Sequence, residues 1–245
     1  NIDSLREKIK GKEKDVAAII IEPARGKNAS TNYLQDLRDL TNEIGAVLLF
    51  DEITSGYRMC AGAIHRKYLV YPDIAVLAKS MANGYPMSAI MGTEDVMQAA
   101  QSSFISSTNW TDRVGPSAAL ATLKKYKREN VQKHLIDMGN KVKNIWEKAS
   151  KINNLKIDIS GLPSLASFSF NLPNKNDLNT IFTIEMLKRN ILGFRQFKPS
   201  FAHSQKDLET YEKCVNEIFN ILVTKKNDKL EFETHHDGFM RLTKE

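Results

Sequence analysis

Two carboxylates and one amine stand where this sequence could do chemistry. Asp51 and Glu52 follow the apolar run Val47-Leu48-Leu49-Phe50 directly, in the stretch VLLFDEITSGYR. Lys79 follows a second run, Ile74-Ala75-Val76-Leu77-Ala78, and Glu22 a third, Val16-Ala17-Ala18-Ile19-Ile20-Ile21. Short continuous apolar runs read as buried strands. In open α/β sheets ligands gather at the carboxyl ends of the strands, so Glu22, Asp51 and Lys79 are expected along one edge.

The residues leave three readings of the acids open. An apolar strand ending in Asp-Glu has the form of a Walker B strand, whose acids hold magnesium in an ATPase. That chemistry also needs a GxxxxGK[ST] loop to cradle phosphates. Neither Gly11-Lys12 nor Gly139-Asn140-Lys141 fits it. A strand-end aspartate can also simply cap the turn that follows. The third reading joins Asp51 to Lys79, about one strand-crossover-strand unit further on. A lysine at a buried strand end, before the small-residue turn Ser80-Met81-Ala82-Asn83-Gly84, suits a partly desolvated amine. Such an amine forms Schiff bases with carbonyls. When the carbonyl is that of pyridoxal phosphate (PLP), an aspartate can hold the pyridine nitrogen protonated and make the ring an electron sink.

The elements needed to position these groups follow from periodicity. Ile2 to Lys10 reads as a short amphipathic helix. Tyr33, Leu34, Leu37, Leu40 and Ile44 recur at helical spacing, with Gly45 placed for a C-cap. Ala46–Phe50, Ile74–Ala78 and Met87–Met91 read as strands, and Thr93 as the N-cap of a helix reaching Ala100. Helices are expected over Pro116–Lys127 and Glu129–Lys151, the latter with Leu135, Met138, Val142, Ile145 and Trp146 on its apolar face. Strands over Leu155–Ile159 and Leu165–Phe170 and a helix over Leu178–Lys188 come next. Ser204-Gln205-Lys206-Asp207 has the capping-box form and opens a last helix to about Val223.

Alternating strands and helices with apolar strands argue for an α/β fold, a mostly parallel sheet with helices on both faces, followed by a smaller α+β domain. The expected boundary divides residues 1–129 from 130–245.

Composition narrows the function classes. Of 245 residues, 42% are apolar and 26% charged, which suits a packed globular chain rather than a disordered one. The net charge of +6 is spread among acids, as at Lys141, Lys143, Glu147 and Lys148, so nucleic acid is not the expected partner. No run is long enough to span a membrane. Cys60 and Cys214 form no CxxC, and His235-His236 lacks further ligand candidates at metal spacing. No metal site is assigned, and a reducing cytoplasm suits the cysteines.

Several segments, in order, resemble the class III (fold type I) PLP-dependent aminotransferases. VLLFDEITSGYR is similar to their DEV-x-[TS]-G-[FY]-R segment. LAKSMANGYPMSAIMG is similar to the region of their Schiff-base lysine. Ser107-Thr108-Asn109-Trp110-Thr111, ahead of Gly115-Pro116-Ser117-Ala118-Ala119, resembles the phosphate-contacting threonine and the helix after it. Ile20-Ile21-Glu22-Pro23 and Phe201-Ala202-His203-Ser204 match an earlier strand end and the start of a C-terminal helix. The nearest branch is that of glutamate-1-semialdehyde aminomutase and related enzymes of surface-polysaccharide pathways.

The resemblance implies a three-layer large domain with a small C-terminal domain, and amino-group transfer between a small-molecule donor and a carbonyl acceptor. It implies Lys79 as Schiff-base lysine and proton shuttle, Asp51 at the pyridinium nitrogen and Ile53 against one ring face. Thr108 is implied at the phosphate of the partner subunit's cofactor, hence a homodimer. Each role has a plainer competitor: a surface lysine, ordinary core, a turn cap. Glu22 has no assigned role beyond bracing a loop, and His203 and Arg195 are read as structural.

Two departures qualify the match. The Gly/Ser-rich turn that grips the phosphate in this family has no counterpart before Glu22. The chain also begins Asn1-Ile2-Asp3 without Met, so a chain truncated at its N-terminus is expected. A catalytically silent α/β module that needs a partner is the competing class of function. The second departure is Thr54, where many transaminases carry Gln toward the ring hydroxyl. That speaks against 4-aminobutyrate or ornithine as substrate and leaves the aminomutase-like branch ahead.

Overall fold

Alternation along the strands decides what the sheet can bury. In the computed structural model, which describes residues 1–24, 29–105, 108, 109 and 111–225, the first strands are β1 (Ala18–Ile21), β2 (Val47–Asp51), β3 (Ile74–Leu77) and β4 (Ala89–Gly92). They lie side by side in chain order, the first three parallel and the fourth antiparallel. Side chains of successive strand residues point to opposite faces. One face therefore carries Leu48, Phe50, Ala75 and Leu77, all buried. The opposite face carries Ala18, Ile20, Leu49, Asp51, Val76 and Ile90, in rows fixed by the pairings Ile20↔Leu49, Asp51↔Val76 and Val76↔Ile90.

Helix α1 (Ile2–Ile9) precedes β1, and α2 (Thr31–Ile44) joins β1 to β2. Ser30 caps α2 by accepting from the Tyr33 N–H at 3.1 Å, and Gly45 ends it in the left-handed region at φ 73°. Leu34 and Leu37 of α2 pack on Leu48 and Phe50. Short helices α3 (His65–Tyr68) and α4 (Glu94–Gln98) flank β3 and β4, and α5 is Val114–Glu129. The buried face continues through Leu77, Met81, Ala82 and Ala119 of α5.

The other face has no such cover among the described residues. Ile20 is 66% and Ile90 62% exposed. β1 is thus not buried on both sides, as its unbroken apolar run implied. Continuous apolarity reports two faces that want cover, not two faces that have it. Thr93 occupies the N-cap position of α4, but its side chain makes no capping hydrogen bond.

The chain falls into two compact units, Asn1–Ile136 and Asp137–Glu245. Helix α6 (Val131–Ile152) begins after Asn130, which ends α5 in the left-handed region. The second unit holds an antiparallel sheet, β5 (Ile157–Ser160), β6 (Ala166–Phe170) and β7 (Gln196–Phe197), with α7 (Lys175–Lys188) and α8 (Gln205–Lys225). Its core joins Val142, Trp146, Phe168, Phe182, Ile218 and Phe219. The Trp146 indole N–H donates to the Tyr211 hydroxyl at 2.8 Å. The Ser204 backbone N–H donates to Asp207, whose own N–H donates back to Ser204 Oγ, so the expected capping box forms. His235-His236 lies outside the described residues.

Two predictions concern this framework. A Cβ on Gly139 would lie 1.8 Å from the backbone oxygen of Pro163. Backbone cannot yield as a side chain can, so Gly139→Ala should destabilise the second unit by about 3 kcal/mol in urea unfolding. In the first unit, burial alone would raise the Asp73 carboxyl. The Arg38 guanidinium at 2.9 Å and the Leu48 N–H at 2.7 Å outweigh it and hold the group below the ordinary carboxylate value. A depressed folded pKa stabilises above the unfolded value, about 3.9, and that stability is lost as pH falls through the folded value. Asp73→Asn should therefore cost about 1–2 kcal/mol at pH 7. The gap to the native chain should narrow on titration from about pH 4 toward pH 2.

Candidate active site

The two acids after β2 part company because the alternation continues through them. Asp51 lies on the open face of the sheet, while Glu52 is buried at 0% exposure. The Glu52 N–H still donates to the Val76 carbonyl at 3.0 Å, which extends the ladder between β2 and β3. A buried carboxylate must be paired or heavily hydrogen-bonded. Glu52 accepts from the Ile64 N–H, from the His65 N–H at 3.3 Å, and pairs with His65 Nδ1 at 2.5 Å. The loop between Glu52 and α3 is thereby closed on its own first residue. Inside it, Gly56 approaches so closely that a Cβ would lie 2.6 Å from Leu77 Cδ2 and 2.9 Å from the Glu52 carbonyl oxygen. This is why a glycine stands in the motif.

Three groups meet at the carboxyl edge beside that loop. Asp51 Oδ1 accepts from the Ile53 N–H at 3.0 Å, which fixes Ile53 half-buried beside it. The Thr54 carbonyl accepts from Arg58 Nε at 2.6 Å, and burial pulls the Arg58 guanidinium below its ordinary value. From the next strand end, Lys79 Nζ donates to Thr54 Oγ1 at 2.8 Å. Lys79 has φ 49°, a left-handed conformation uncommon for a residue with a Cβ. Backbone of this kind recurs at functional sites, where the surroundings hold it in place.

Of the residues expected to form a site, Asp51, Ile53 and Lys79 thus gather within one loop and two adjacent strand ends. Glu22 follows β1 at the same edge, half-buried. Thr108 lies on an exposed turn before α5 and shares no hydrogen bond with that group among the described residues. Ser107 and Trp110 lie outside the described residues. Lys79 is exposed rather than partly desolvated, because the described chain places nothing over the open face. Sequence reasoning missed the Glu52–His65 pair and the hydroxyl contact of Thr54. Strict alternation past Asp51 was the signal for the first; the second had none.

Asp51 and Lys79 thus stand at the ends of adjacent parallel strands, with the lysine amine on the Thr54 hydroxyl. The family model described as Aminotransferase class-III matches residues 1–198. The chain belongs to the class III aminotransferase family.

Among curated relatives, 3-aminobutyryl-CoA aminotransferase of Cloacimonas acidaminovorans (strain Evry) is 27% identical over 229 residues. That match covers 89% of this chain and 55% of the relative. Glutamate-1-semialdehyde 2,1-aminomutase of Sulfurihydrogenibium azorense is 28% identical over 243 residues, 91% of this chain and 57% of the relative. The chain therefore spans little more than half the length of these two relatives. Among solved structures, the FumI protein of Sphingopyxis sp. MTA144, determined in its PLP internal aldimine form, superposes with a TM-score of 0.87. The identity is 22%, over 93% of this chain and 57% of that one. The mixed α/β fold with its parallel sheet is thus a PLP-dependent transaminase fold.

The strain at Lys79 gives a prediction. Left-handed backbone costs an L-residue about 1–2 kcal/mol, which glycine avoids at a smaller entropic cost. Lys79→Gly should therefore be more stable than Lys79→Ala by about 0.5–1 kcal/mol in denaturant unfolding. Equal stabilities would contradict a left-handed residue 79.

Proposed function

We propose that this protein serves PLP-dependent amino-group transfer, with Lys79 as the residue that holds the cofactor. The observation that carries the reading is the placement of Asp51 and Lys79 at the ends of adjacent parallel strands, with the lysine amine drawn onto the loop that follows Asp51. The donor set fits the group. Lys79 offers an exposed primary amine to a carbonyl carbon. Asp51 offers a carboxylate with no ion-pair partner among the described residues, suited to a protonated ring nitrogen. Ile53 offers an apolar surface next to it. When bound, PLP supplies an electron sink for a carbanion at the substrate carbon.

Every other task falls to the chain itself. The Lys79 amine would carry a proton to and from the reacting carbon as general acid and base. Asp51 would supply the carboxylate that pairs with the ring nitrogen. The buried Glu52 holds the Asp51–Thr54 loop against the end of β3. We assign Thr108 to the phosphate of a partner subunit's cofactor, which makes the working form a homodimer. Its exposure on a turn before α5 suits that reach.

The substrates on this reading are a small amino donor and a carbonyl acceptor. The relatives named above include both an aminotransferase and an aminomutase. No described helix is long and apolar enough to cross a membrane. Cys60 and Cys214 are free thiols, which suits a reducing cytoplasm.

Borohydride reduction with PLP, followed by peptide mapping, tests the proposal. A stoichiometric pyridoxyl label on Lys79 is expected. Asp51→Ala should weaken cofactor retention by about 10- to 100-fold, the worth of one charge-assisted contact. A folded protein that takes no label at Lys79 defeats the cofactor assignment and favours a catalytically silent module.

A further inference from the structure

We propose that Thr54 is the positioning residue for the Lys79 amine, a role distinct from contact with the cofactor ring. The inference rests on the reading of Lys79 as the cofactor lysine. It begins from one contact: Lys79 Nζ lies 2.8 Å from Thr54 Oγ1. Lys79 is exposed and belongs to no hydrophobic core cluster of the described residues. The Thr54 hydroxyl is the hydrogen-bond partner the structure gives that amine.

The hydroxyl itself stands on a rigid base. The Thr54 carbonyl is held by Arg58 Nε at 2.6 Å. The Gly56 N–H donates to the Glu52 carbonyl at 2.8 Å, one turn back. Glu52 in turn is locked to Ile64 and His65. From the other side, the left-handed backbone of Lys79 sets the direction in which its side chain leaves β3. Both ends of the contact are therefore fixed by backbone, and only the methylene chain between them is free.

The chemistry of a hydroxyl suits this place. An ammonium can only donate hydrogen bonds, whereas a neutral amine also offers a lone pair. A threonine hydroxyl accepts from the first and donates to the second. The same contact therefore survives the loss and gain of a proton at Nζ. A carboxylate at residue 54 would hold the charged amine much more tightly than the neutral one and so oppose loss of the proton. For a lysine that moves a proton, a seat indifferent to its charge keeps Nζ at the carboxyl edge through the whole cycle. Serine preserves both abilities and valine removes both at nearly constant size.

The test compares the native protein with Thr54→Val and Thr54→Ser. Each is treated with PLP and borohydride, and the label on Lys79 is divided by that on exposed Lys124. The native protein should label Lys79 preferentially. Thr54→Val should lower the ratio about five- to tenfold, the scale of one hydrogen bond, and Thr54→Ser should stay within about twofold. Without cofactor, 15N NMR should show slowed ammonium proton exchange at Lys79 in the native and serine proteins, and exchange like that of Lys124 in the valine variant. Preferential labelling of Lys79 that is unchanged in Thr54→Val overturns the positioning role and leaves the cofactor reading standing. A native protein with no preference for Lys79 overturns the cofactor reading, and this inference falls with it.

Discussion

The buried carboxylate of Glu52 is the constraint on which the rest of the first unit depends. It sits at 0% exposure with two backbone N–H groups and an imidazole around it. A carboxylate in such a place has to be satisfied, and this one is satisfied only if the chain returns to it at Ile64 and His65. His65 is itself wedged against Phe50 and Tyr71, with ring centroids 6.2 and 5.8 Å away. The loop from Asp51 to α3 is therefore not loose. Its shape is dictated by an acid that points away from the chemistry. Asp51, one residue earlier, is left on the other face because the strand alternates.

This division of labour explains why two acids in a row are useful here. The first faces the open side and can meet a ligand. The second faces the core and fixes the first. Lys79 arrives at the same edge from β3, since parallel strands end together. The strained backbone of Lys79 and the close approach of Gly56 to Leu77 are local costs carried by that arrangement.

Much of this was legible in the residues, for identifiable reasons. Apolar runs ending in Asp51 and Lys79 placed both at one edge, and the helical spacing from Tyr33 to Ile44 found α2 with its Gly45 cap. The Ser204–Asp207 box was equally plain, because it depends on four adjacent residues. What escaped was whatever depends on partners distant in sequence. The exposure of Ile20 and Ile90 reflects what does not lie across the sheet, which a local pattern cannot report. The contact of Thr54 with Lys79 joins two loops through a side chain whose rotamer the sequence does not encode. The two-residue strand β7 is recruited by pairing with β6, not by its own propensity.

The order of the strands has a consequence for how the molecule comes to exist. β1, β2, β3 and β4 are neighbours in space in the order in which they are made. Each can dock on its predecessor as soon as the intervening loop or helix is complete, so loop-closure entropy is met in small instalments. Asp51, Thr54 and Lys79 all come from one such step, the pairing of β3 with β2. The chemical edge is then built from one short-range pairing of neighbouring strands, and its hydrogen bonds at Asp51, Thr54 and Lys79 ask for no contact with α6 or the second unit. Its described contacts run between β2, β3 and the loop after Asp51, all within about thirty residues of sequence.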